Sequence, residues 1–225
     1  MKNYSIFDIV GPNMIGPSSS HTAGAARLGR VGYKIAGEKI TNVKFYLHGS
    51  FAQTYKGHGT DKALVGGILG FAPDDERIRN SFQIAKESGL DFEFITVDLG
   101  DDYHPNTAKI EITTESGKKL EIVGASIGGG NIKVTQMNGL KLEFTGAYPT
   151  LIVKQRDLPG AATHITSCLS KNNINIAFMS IYRQEKGNEA FTIIEADDDI
   201  HENIVKDILS NEDLIKDAFI IKGLE

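Results

Sequence analysis

The order of elements predicted for the last third of this chain limits its fold more than any other sequence feature. A β-rich run at residues 150–155 precedes a helix at 161–171, in which Ile165 and Leu169 share one face. The pattern then predicts strands at 174–182 and 190–196 around a hairpin turn at 186–189, a helix at 201–209 and a last strand at 214–221. The order βαββαβ is that of a ferredoxin-like unit. We expect Asp157 to cap the first of its two helices.

Glycine divides the chain, because it is frequent before residue 149 and scarce behind it. A boundary near residues 146–149 predicts one domain at residues 1–146 and a second at 148–225. The first domain is expected to be α+β or α/β, with a mixed sheet. Its predicted helices are 22–36, 60–71 and 75–87, and its predicted strands 42–47, 92–97, 109–114, 119–123, 131–137 and 140–144, with a short apolar segment at 5–10. The last two strands flank Asn138-Gly139, which is a strong hairpin signal.

The charge balance excludes several classes of partner. Lys and Arg number 24 against 29 Asp and Glu, so the formal net charge is -5. A mildly acidic chain has no general attraction for nucleic acid or anionic lipid. No apolar run reaches the roughly 18 residues of a membrane span. Residues 1–10 lack the long apolar core of a signal peptide, so we expect a cytoplasmic location.

The cysteine count excludes several kinds of site. Cys168 is the single cysteine of the sequence, so the chain can form no intrachain disulfide. One thiolate also cannot build a cysteine-rich zinc or iron–sulfur site. Because Cys168 lies within a predicted helix, we expect it to be a small buried side chain.

A run of hydroxyl groups precedes the first predicted helix, at Gly-Pro-Ser-Ser-Ser-His-Thr (residues 16–22). Backbone amides at a helix start, together with serine and threonine hydroxyls, suit a carboxylate or phosphate. His21 within this run titrates near neutral pH and could move a proton. The same residues would equally serve as an ordinary serine cap.

A second polar segment is Lys-Gly-His-Gly-Thr-Asp at residues 56–61, which we expect to precede a helix. Glycine on both sides leaves the His58 ring accessible, and Lys56 adds charge for a carboxylate. The spacing is not that of a phosphate-binding Walker loop. A flexible turn with a solvated histidine is the alternative.

Residues 101–107 hold the third polar segment, in which Pro105 stiffens the chain between His104 and Asn106. A spacing of two in an extended segment places these two side chains on one side. His21, His58 and His104 together could form a three-histidine metal site, although no helical His-x-x-x-His spacing supports it. Residues 128–130, Gly-Gly-Gly, are either an anion-binding loop or a β-bulge, and the bulge is favoured.

Taken together, the motifs at residues 16–22, 56–61 and 104–106 resemble the β subunit of bacterial iron–sulfur-dependent L-serine dehydratase, or L-serine ammonia-lyase. The last segment resembles an ACT domain in its strand at 151–153, its Asp-Leu-Pro-Gly loop at 157–160 and its Asn-rich run at 172–175. The two resemblances cover nearly the whole chain. They imply an α+β protein with an N-terminal domain similar to the allosteric substrate-binding domain of some D-3-phosphoglycerate dehydrogenases.

The resemblance also implies a reaction and a partner. In this family a separate alpha part carries a [4Fe–4S] cluster on cysteines. The cluster acts as a Lewis acid on the serine hydroxyl, and a base removes the α-proton, so that L-serine becomes pyruvate and ammonia. We therefore expect this chain to ligate no metal and to be active only with a cluster-bearing alpha subunit.

For this reaction we expect His58 to be the base, with His21 as the rival candidate. The expected substrate contacts are Ser18, Ser19, Ser20, Thr22, Lys56, Thr60, His104 and Asn106. ACT domains usually pair side by side and often bind amino acids, which would make Asp157, Gly160 and Asn175 effector contacts. Asp-Leu-Pro-Gly is also simply a good turn. The open edge of a four-stranded sheet predicts self-association of this domain.

Two other functions remain compatible with the sequence. The chain could be a purely regulatory module, which senses an amino acid and contributes no catalytic group. It could also be a stand-alone histidine-metal hydrolase, although no convincing ligand motif supports that and the ACT-like segment would be unexplained. The first alternative differs from the dehydratase hypothesis in the roles of His21 and His58.

Overall fold

The structure, a computed structural model, describes residues 13–183 and 185–221 and divides them into two units. The first unit ends at Gly139 and the second begins at Leu140. The division predicted from composition lies slightly later, at residues 146–148, and stays a prediction. The apolar segment predicted at residues 5–10 lies outside the described residues. In the described part of the chain, no helix combines the length and the apolar character needed to cross a membrane.

The helices of the first unit begin with a single π-helical turn that continues directly as an α-helix. They are the π turn Ser19–Ala23, α1 (Gly24–Ala36), α2 (Gly49–His58), α3 (Thr60–Ile68), a 3-10 helix at Glu76–Asn80 and α4 (Ser81–Glu87). The strands are β1 (Ile40–His48), β2 (Asp91–Val97), β3 (Thr107–Thr114), β4 (Lys119–Gly128) and β5 (Asn131–Met137). Helix α1 ends at Gly37, whose left-handed backbone (φ 69°) stops the helix before β1.

The strands of the first unit lie in the order β2-β1-β3-β4-β5. Strand β1 is parallel to β2, and the other neighbours are antiparallel. Along β1 the side chains alternate, and Val43, Phe45 and Leu47 are fully buried. The parallel register pairs His48 with Val97, so β1 and β2 end at the same edge of the sheet. The candidate site lies at that edge.

Small residues allow helices α1 and α3 to approach each other at backbone distance. A Cβ atom on Gly67 would overlap the carbonyl oxygen of Ala26, and one on Gly29 would overlap that of Leu64. Glycine is therefore required at both positions for this packing. Since α1 continues directly from the π turn, the helix pair also fixes the position of that turn.

Several predictions for the first unit are confirmed. Strands β3 and β4 form the expected antiparallel hairpin. The two-residue turn Asn138-Gly139 has positive φ at both residues (49° and 77°), as a type I′ turn requires. The three glycines at 128–130 also have positive φ and lie where β4 turns into β5, beside a register irregularity between Ser126 and Gly128. This agrees with the bulge interpretation.

Two predictions for the helices need correction. Residues 56–58 are the last turn of α2 rather than a loop, and a single residue, Gly59 with φ 72°, separates α2 from α3. Gly57 lowers helix stability by only about 1 kcal/mol, which the burial of Phe51 in the same helix outweighs. The helix predicted at 75–87 is a 3-10 turn followed by α4, because Asp75 caps the turn through the Arg77 amide.

The second unit has the predicted βαββαβ order, after a preceding strand β6 (Leu140–Phe144). Its elements are β7 (Thr150–Arg156), α5 (Ala161–Lys171), β8 (Ile176–Arg183), β9 (Glu189–Ala196), α6 (Glu202–Leu209) and β10 (Ile215–Ile221). The sheet order is β10-β7-β9-β8, with every pair antiparallel. Helices α5 and α6 share a core with one face of this sheet, including Val153, Ile165 and Ile208. The ferredoxin-like prediction is confirmed.

The predicted cap of α5 is wrong. Gly160, with φ 94°, is the capping residue, and no side chain caps the helix. The Asp157 carboxylate instead accepts hydrogen bonds from Arg183 Nη1 at 2.8 Å and from the Gly187 amide at 2.9 Å. These donors lie in and after β8, so the carboxylate ties the hairpin between β8 and β9 to the end of β7. Sequence spacing alone cannot show a contact across the sheet.

Candidate active site

The serine-rich run at residues 16–22 folds as a capped π turn. Ser18 has an extended backbone (φ -138°), and its hydroxyl accepts a hydrogen bond from the His21 amide at 3.2 Å. The Ser18 carbonyl accepts the Thr22 amide at 2.8 Å. Ser19 and Ser20 are half-buried in the same turn. Single π turns are rare and are found frequently at functional sites. Ser18 is thus a cap, as one interpretation held, and the turn it begins presents His21.

Both ring nitrogens of His21 have a hydroxyl neighbour. Nδ1 lies 3.3 Å from Ser18 Oγ, and Nε2 lies 3.0 Å from Ser50 Oγ. The Phe51 ring packs against the imidazole with centroids 5.4 Å apart. Ser50 is the second residue of α2, so His21 joins the π turn to the start of that helix. Ser50 is not among the site residues predicted from the sequence.

His58 is the second imidazole of the site. Its ring meets that of His21 edge to face, with centroids 4.8 Å apart and planes at 76°. His58 is exposed and is the last residue of α2. Its carbonyl, which has no partner within the helix, accepts a hydrogen bond from the Thr22 hydroxyl at 3.2 Å. The two ends of α2 therefore hold Ser50 and His58 on either side of His21.

The electrostatic environment distinguishes the two histidines. Burial lowers the pKa of His21, and the nearby charge of a protonated His58 lowers it further. Both effects favour the neutral form of the His21 ring. His58 lies at a helix C-terminus, where the backbone carbonyls favour a positively charged side chain.

A cavity of about 350 Å³ opens beside His58. Its lining residues include Gly16, Pro17, Thr22, Lys56, Asp61, Lys62 and Arg79. Lys56 is exposed and also lies over the Tyr55 ring at 5.6 Å. Burial raises the pKa of Asp61, the carboxylate in this lining. Three cationic side chains against one carboxylate make the cavity suitable for an anionic group.

Thr60, the first residue of α3, is fully buried. Its hydroxyl has no hydrogen-bond partner among the residues that the structure describes, and it is not among the residues that line the cavity. Thr60 therefore does not lie on the wall of this cavity, and its contact with substrate stays a prediction.

The segment with His104 and Asn106 lies against the start of α2. The Pro105 carbonyl accepts the Phe51 amide at 3.4 Å, and a Cβ on Gly49 would lie 2.8 Å from the Pro105 Cα. His104 is exposed, and its Nδ1 accepts the Asn106 amide at 3.1 Å. The Asn106 side-chain oxygen is buried and has no hydrogen-bond partner among the described residues. Asn106 thus has unused hydrogen-bonding capacity, whereas His104 is engaged within its own turn.

No group of three or more His, Cys, Asp and Glu side chains in the described residues is arranged to hold a metal ion. The three-histidine arrangement of His21, His58 and His104 is therefore not formed. Cys168 is buried in α5 of the second unit, as expected, and burial raises the pKa of its thiol.

The candidate effector residues of the second unit fall into two places. Asp157 and Gly160 lie between β7 and α5, where Asp157 bonds the hairpin after β8. Asn175 lies before β8 and donates from Nδ2 to Asp197 Oδ2 at 2.6 Å. Since β8 runs from Asn175 towards that hairpin, the two places are at opposite ends of the strand. Within one chain, these residues do not form one contiguous site.

Sequence comparisons agree with the two units. The family described as "Serine dehydratase beta chain" matches residues 5–137, and the family described as "ACT domain" matches residues 149–213. The "L-serine dehydratase, beta chain" of Peptoniphilus asaccharolyticus is 43% identical over 212 residues, covering 94% of this chain and 96% of the relative. The "Probable L-serine dehydratase, beta chain" of Bacillus subtilis is 45% identical over 216 residues, covering 96% of this chain and 97% of that relative.

A more distant similarity concerns the predicted resemblance to a dehydrogenase. The "D-3-phosphoglycerate dehydrogenase" of Bacillus subtilis is 25% identical over 195 residues, which cover 85% of this chain but 36% of that protein. The expected resemblance of this α+β chain to part of that enzyme is confirmed.

Proposed function

Because this chain belongs to the serine dehydratase beta chain family and carries an ACT domain, we propose that it completes the active site of an iron–sulfur L-serine dehydratase. The complex converts L-serine to pyruvate and ammonia. The observation that carries a catalytic role for this chain is the pair His21 and His58, with centroids 4.8 Å apart beside a cation-lined cavity. A purely structural subunit does not require two imidazoles in contact, one of which lines a cavity.

The residues of this chain do not fit a [4Fe–4S] cluster. Its one cysteine is buried in the second unit, and the described residues hold no other group arranged for a metal. In this proposal a separate alpha subunit ligates the cluster, and the Lewis-acid chemistry belongs to that subunit. This chain supplies binding groups and a base.

In the proposed reaction His58 is the base. A ring nitrogen of His58 accepts the α-proton of L-serine, and His58 becomes an imidazolium at the C-terminus of α2, where positive charge is favoured. His58 is exposed, and its ring has no hydrogen-bond partner among the described residues. His21, in contrast, has both nitrogens near hydroxyls. This difference favours His58 over His21 as the group that meets the substrate.

The substrate carboxylate binds in the cavity beside Lys56 in this proposal. Lys62 and Arg79 add positive charge to the same lining. Asn106 is a further contact, because its buried side-chain oxygen can still accept a hydrogen bond, for example from the substrate ammonium group. The remaining predicted contacts, Ser18, Ser19, Ser20, Thr22, Thr60 and His104, belong to this proposal as well.

The second unit has a regulatory and assembling role in this proposal. It self-associates along β8, which is an edge strand of its sheet and exposes Phe178 and Ile181. If it binds an amino acid, Asp157, Gly160 and Asn175 would have to meet across two copies, since one chain holds them apart. The ACT match also favours the alternative, in which the whole chain only regulates the enzyme and contributes no catalytic group.

We also propose a cytoplasmic location. A chain with one cysteine can form no intrachain disulfide, so an oxidising compartment would not stabilise it in that way.

Reconstitution with the alpha subunit tests the function. The isolated chain is expected to be colourless and inactive, and L-serine dehydratase activity appears only when the alpha subunit is added under anaerobic conditions. His58→Ala should lower kcat about 10²–10⁴-fold, the usual cost of removing a general base. Loss of activity in His21→Ala alone, with normal kcat in His58→Ala, would reverse the assignment of the base. Normal kcat in both variants would make this chain a regulatory subunit.

A further inference from the structure

The contact between His21 and Ser50 connects two elements that are far apart in sequence. His21 lies in the π turn, and Ser50 lies in the first turn of α2, with Nε2 and Oγ 3.0 Å apart. The His21 ring is part-buried against Phe51. A part-buried imidazole nitrogen that lost its hydrogen-bond partner would carry a desolvation cost, so the Ser50 hydroxyl matters for the state of the ring.

The hydrogen-bond roles around His21 can be assigned by counting donors and acceptors. A neutral imidazole donates from one nitrogen and accepts at the other. The Ser18 hydroxyl oxygen already accepts the His21 amide at 3.2 Å. A hydroxyl that accepts a hydrogen bond is polarised into a better donor, which favours donation from Ser18 Oγ–H to Nδ1. With Ser18 as that donor, the ring proton lies on Nε2, which donates to Ser50 Oγ.

The position of Ser50 is fixed by its neighbours on both sides. Gly49 has φ 56°, and a Cβ there would lie 2.7 Å from the Pro105 carbonyl oxygen, so only glycine allows this approach. The Ser50 carbonyl accepts the Thr54 hydroxyl at 2.7 Å. The hydroxyl of Ser50 is therefore presented from the rigid start of a helix that is anchored to the segment after β2.

We propose that Ser50 is a positioning residue, which holds His21 in its neutral Nε2–H form with the ring edge against His58. This inference rests on the proposed function, because the benefit of the arrangement is to keep the His58 ring in place for proton transfer. In this arrangement Ser50 makes no contact with the substrate. It acts through His21, whose ring is held from both nitrogens and cannot turn away from His58.

The tautomer of His21 can be measured without activity. In the full chain of 225 residues labelled with ¹⁵N, two-bond ¹H–¹⁵N correlation spectra distinguish protonated from unprotonated ring nitrogens. His21→Gln assigns the signals. Above neutral pH we expect Nε2 of His21 to be protonated and Nδ1 to be unprotonated. In Ser50→Ala the Nε2 proton loses its acceptor while Ser18 still favours this tautomer, so both signals should move part of the way towards those of the other tautomer. Ser50→Thr should restore the wild-type values.

A control outside the site is Ser88→Ala, which removes the hydroxyl of an exposed residue that bonds the Ala85 carbonyl at the end of α4. The His21 signals should not change in this variant. The proposal is overturned by a wild-type His21 protonated on Nδ1, or by His21 signals in folded Ser50→Ala that equal those of the wild type. The tautomer of His21 in the wild type can overturn the proposal even if Ser50→Ala fails to fold.

Kinetics of the reconstituted enzyme add a second measurement. Ser50→Ala should lower kcat about five- to tenfold, as the loss of one hydrogen bond does, with KM unchanged and with recovery in Ser50→Thr. Unchanged kcat in Ser50→Ala contradicts the positioning role. If the tautomer results are as expected but His58→Ala retains full kcat, the arrangement of Ser50 and His21 stands and the proposed catalytic function fails.

Discussion

The imidazole rings of His21 and His58 are held edge to face at 4.8 Å, although 36 residues separate them along the chain. Three contacts maintain this arrangement. The Thr22 hydroxyl donates to the His58 carbonyl, and the hydroxyls of Ser18 and Ser50 lie at the two nitrogens of His21. Both ends of α2 are therefore fastened to the π turn, with Ser50 at the first end against His21 and His58 at the last.

The lowered pKa of His21 predicts how stability depends on pH. The unfolded histidine titrates near 6.5, and the folded pKa lies below that value because of burial and of the charge on His58. Below pH 6.5 the unfolded state therefore binds more protons at this residue, and the free energy of unfolding falls until the folded His21 is protonated as well. Above pH 6.5 the residue adds no pH dependence.

This prediction is checked by urea unfolding from pH 8 to pH 5. The His21→Gln variant should show a smaller loss of unfolding free energy below about pH 6.5 than the wild type. His201→Gln, which changes an exposed histidine of the second unit, serves as the control. Equal pH dependence in the wild type and in His21→Gln would contradict the lowered pKa.

The packing of α1 on α3 predicts opposite effects for two glycine substitutions. Gly67→Ala places a Cβ on the Ala26 carbonyl and should lower the free energy of unfolding by about 1–3 kcal/mol. Gly57→Ala, also within a helix, meets no atom within 4 Å and should raise it by about 0.5–1 kcal/mol. Chemical denaturation measures both. Equal effects of the two changes would show that the close approach of the helices is not what makes Gly67 necessary.

Strand β8 predicts the association of the full chain. Phe178 and Ile181 are 59% and 47% exposed on this edge strand, which leaves apolar surface for a second copy. Phe178→Lys should raise the Kd of self-association at least about tenfold, as measured by analytical ultracentrifugation. Tyr33→Lys, at a 40% exposed aromatic residue of the first unit, should leave it unchanged. A wild-type chain that stays monomeric at high concentration would refute the prediction.

The Asp157 carboxylate predicts local protection of the hairpin after β8. Hydrogen bonds from the Gly187 amide and from Arg183 lower the pKa of Asp157, so the carboxylate is ionised at neutral pH. In Asp157→Ala the Gly187 amide loses its acceptor and should exchange with solvent faster. Hydrogen exchange followed by NMR tests this, with the Ala161 amide, which bonds the Leu158 carbonyl, as an internal reference. Unchanged exchange at Gly187 would mean that the hairpin is held by other contacts.

The local sequence pattern was sufficient to predict most of the helices and strands. The second unit follows from apolar periodicity and turn residues, and Asn138-Gly139 has the turn that its sequence predicts. The exceptions have a common physical cause. Helix α2 was missed because glycine occurs at 49, 57 and 59, while its stability depends on the tertiary burial of Phe51. Asp157 was wrongly predicted to cap α5, because its donors, Arg183 and the Gly187 amide, lie in and after β8, far from it in sequence.

Most residues of the candidate site could be predicted from the sequence, but the contacts that join them could not. The serine-rich run, His58 and Lys56 were found from local chemistry, and His58 does meet His21 in the structure. Ser50 was missed because a serine after a glycine at a strand end carries no particular signal. Gly49 has a left-handed backbone directly before Ser50, and Pro105, which packs against Gly49, is distant in sequence. His104 stays a predicted contact, although its Nδ1 already accepts the Asn106 amide of its own turn.

The parallel pairing of β1 with β2 has a consequence for how the chain folds. Asn42 pairs with Asp91, and Ile40 pairs across the sheet with Thr114, so the edge that carries the site forms only after long loops have closed. Such non-local contacts slow folding, because loop-closure entropy is lost before the contacts can compensate for it. During synthesis the π turn, β1 and both histidines emerge before β2 and β3, with which β1 must pair. The His21–His58 pair should therefore be among the last features of the first unit to become ordered.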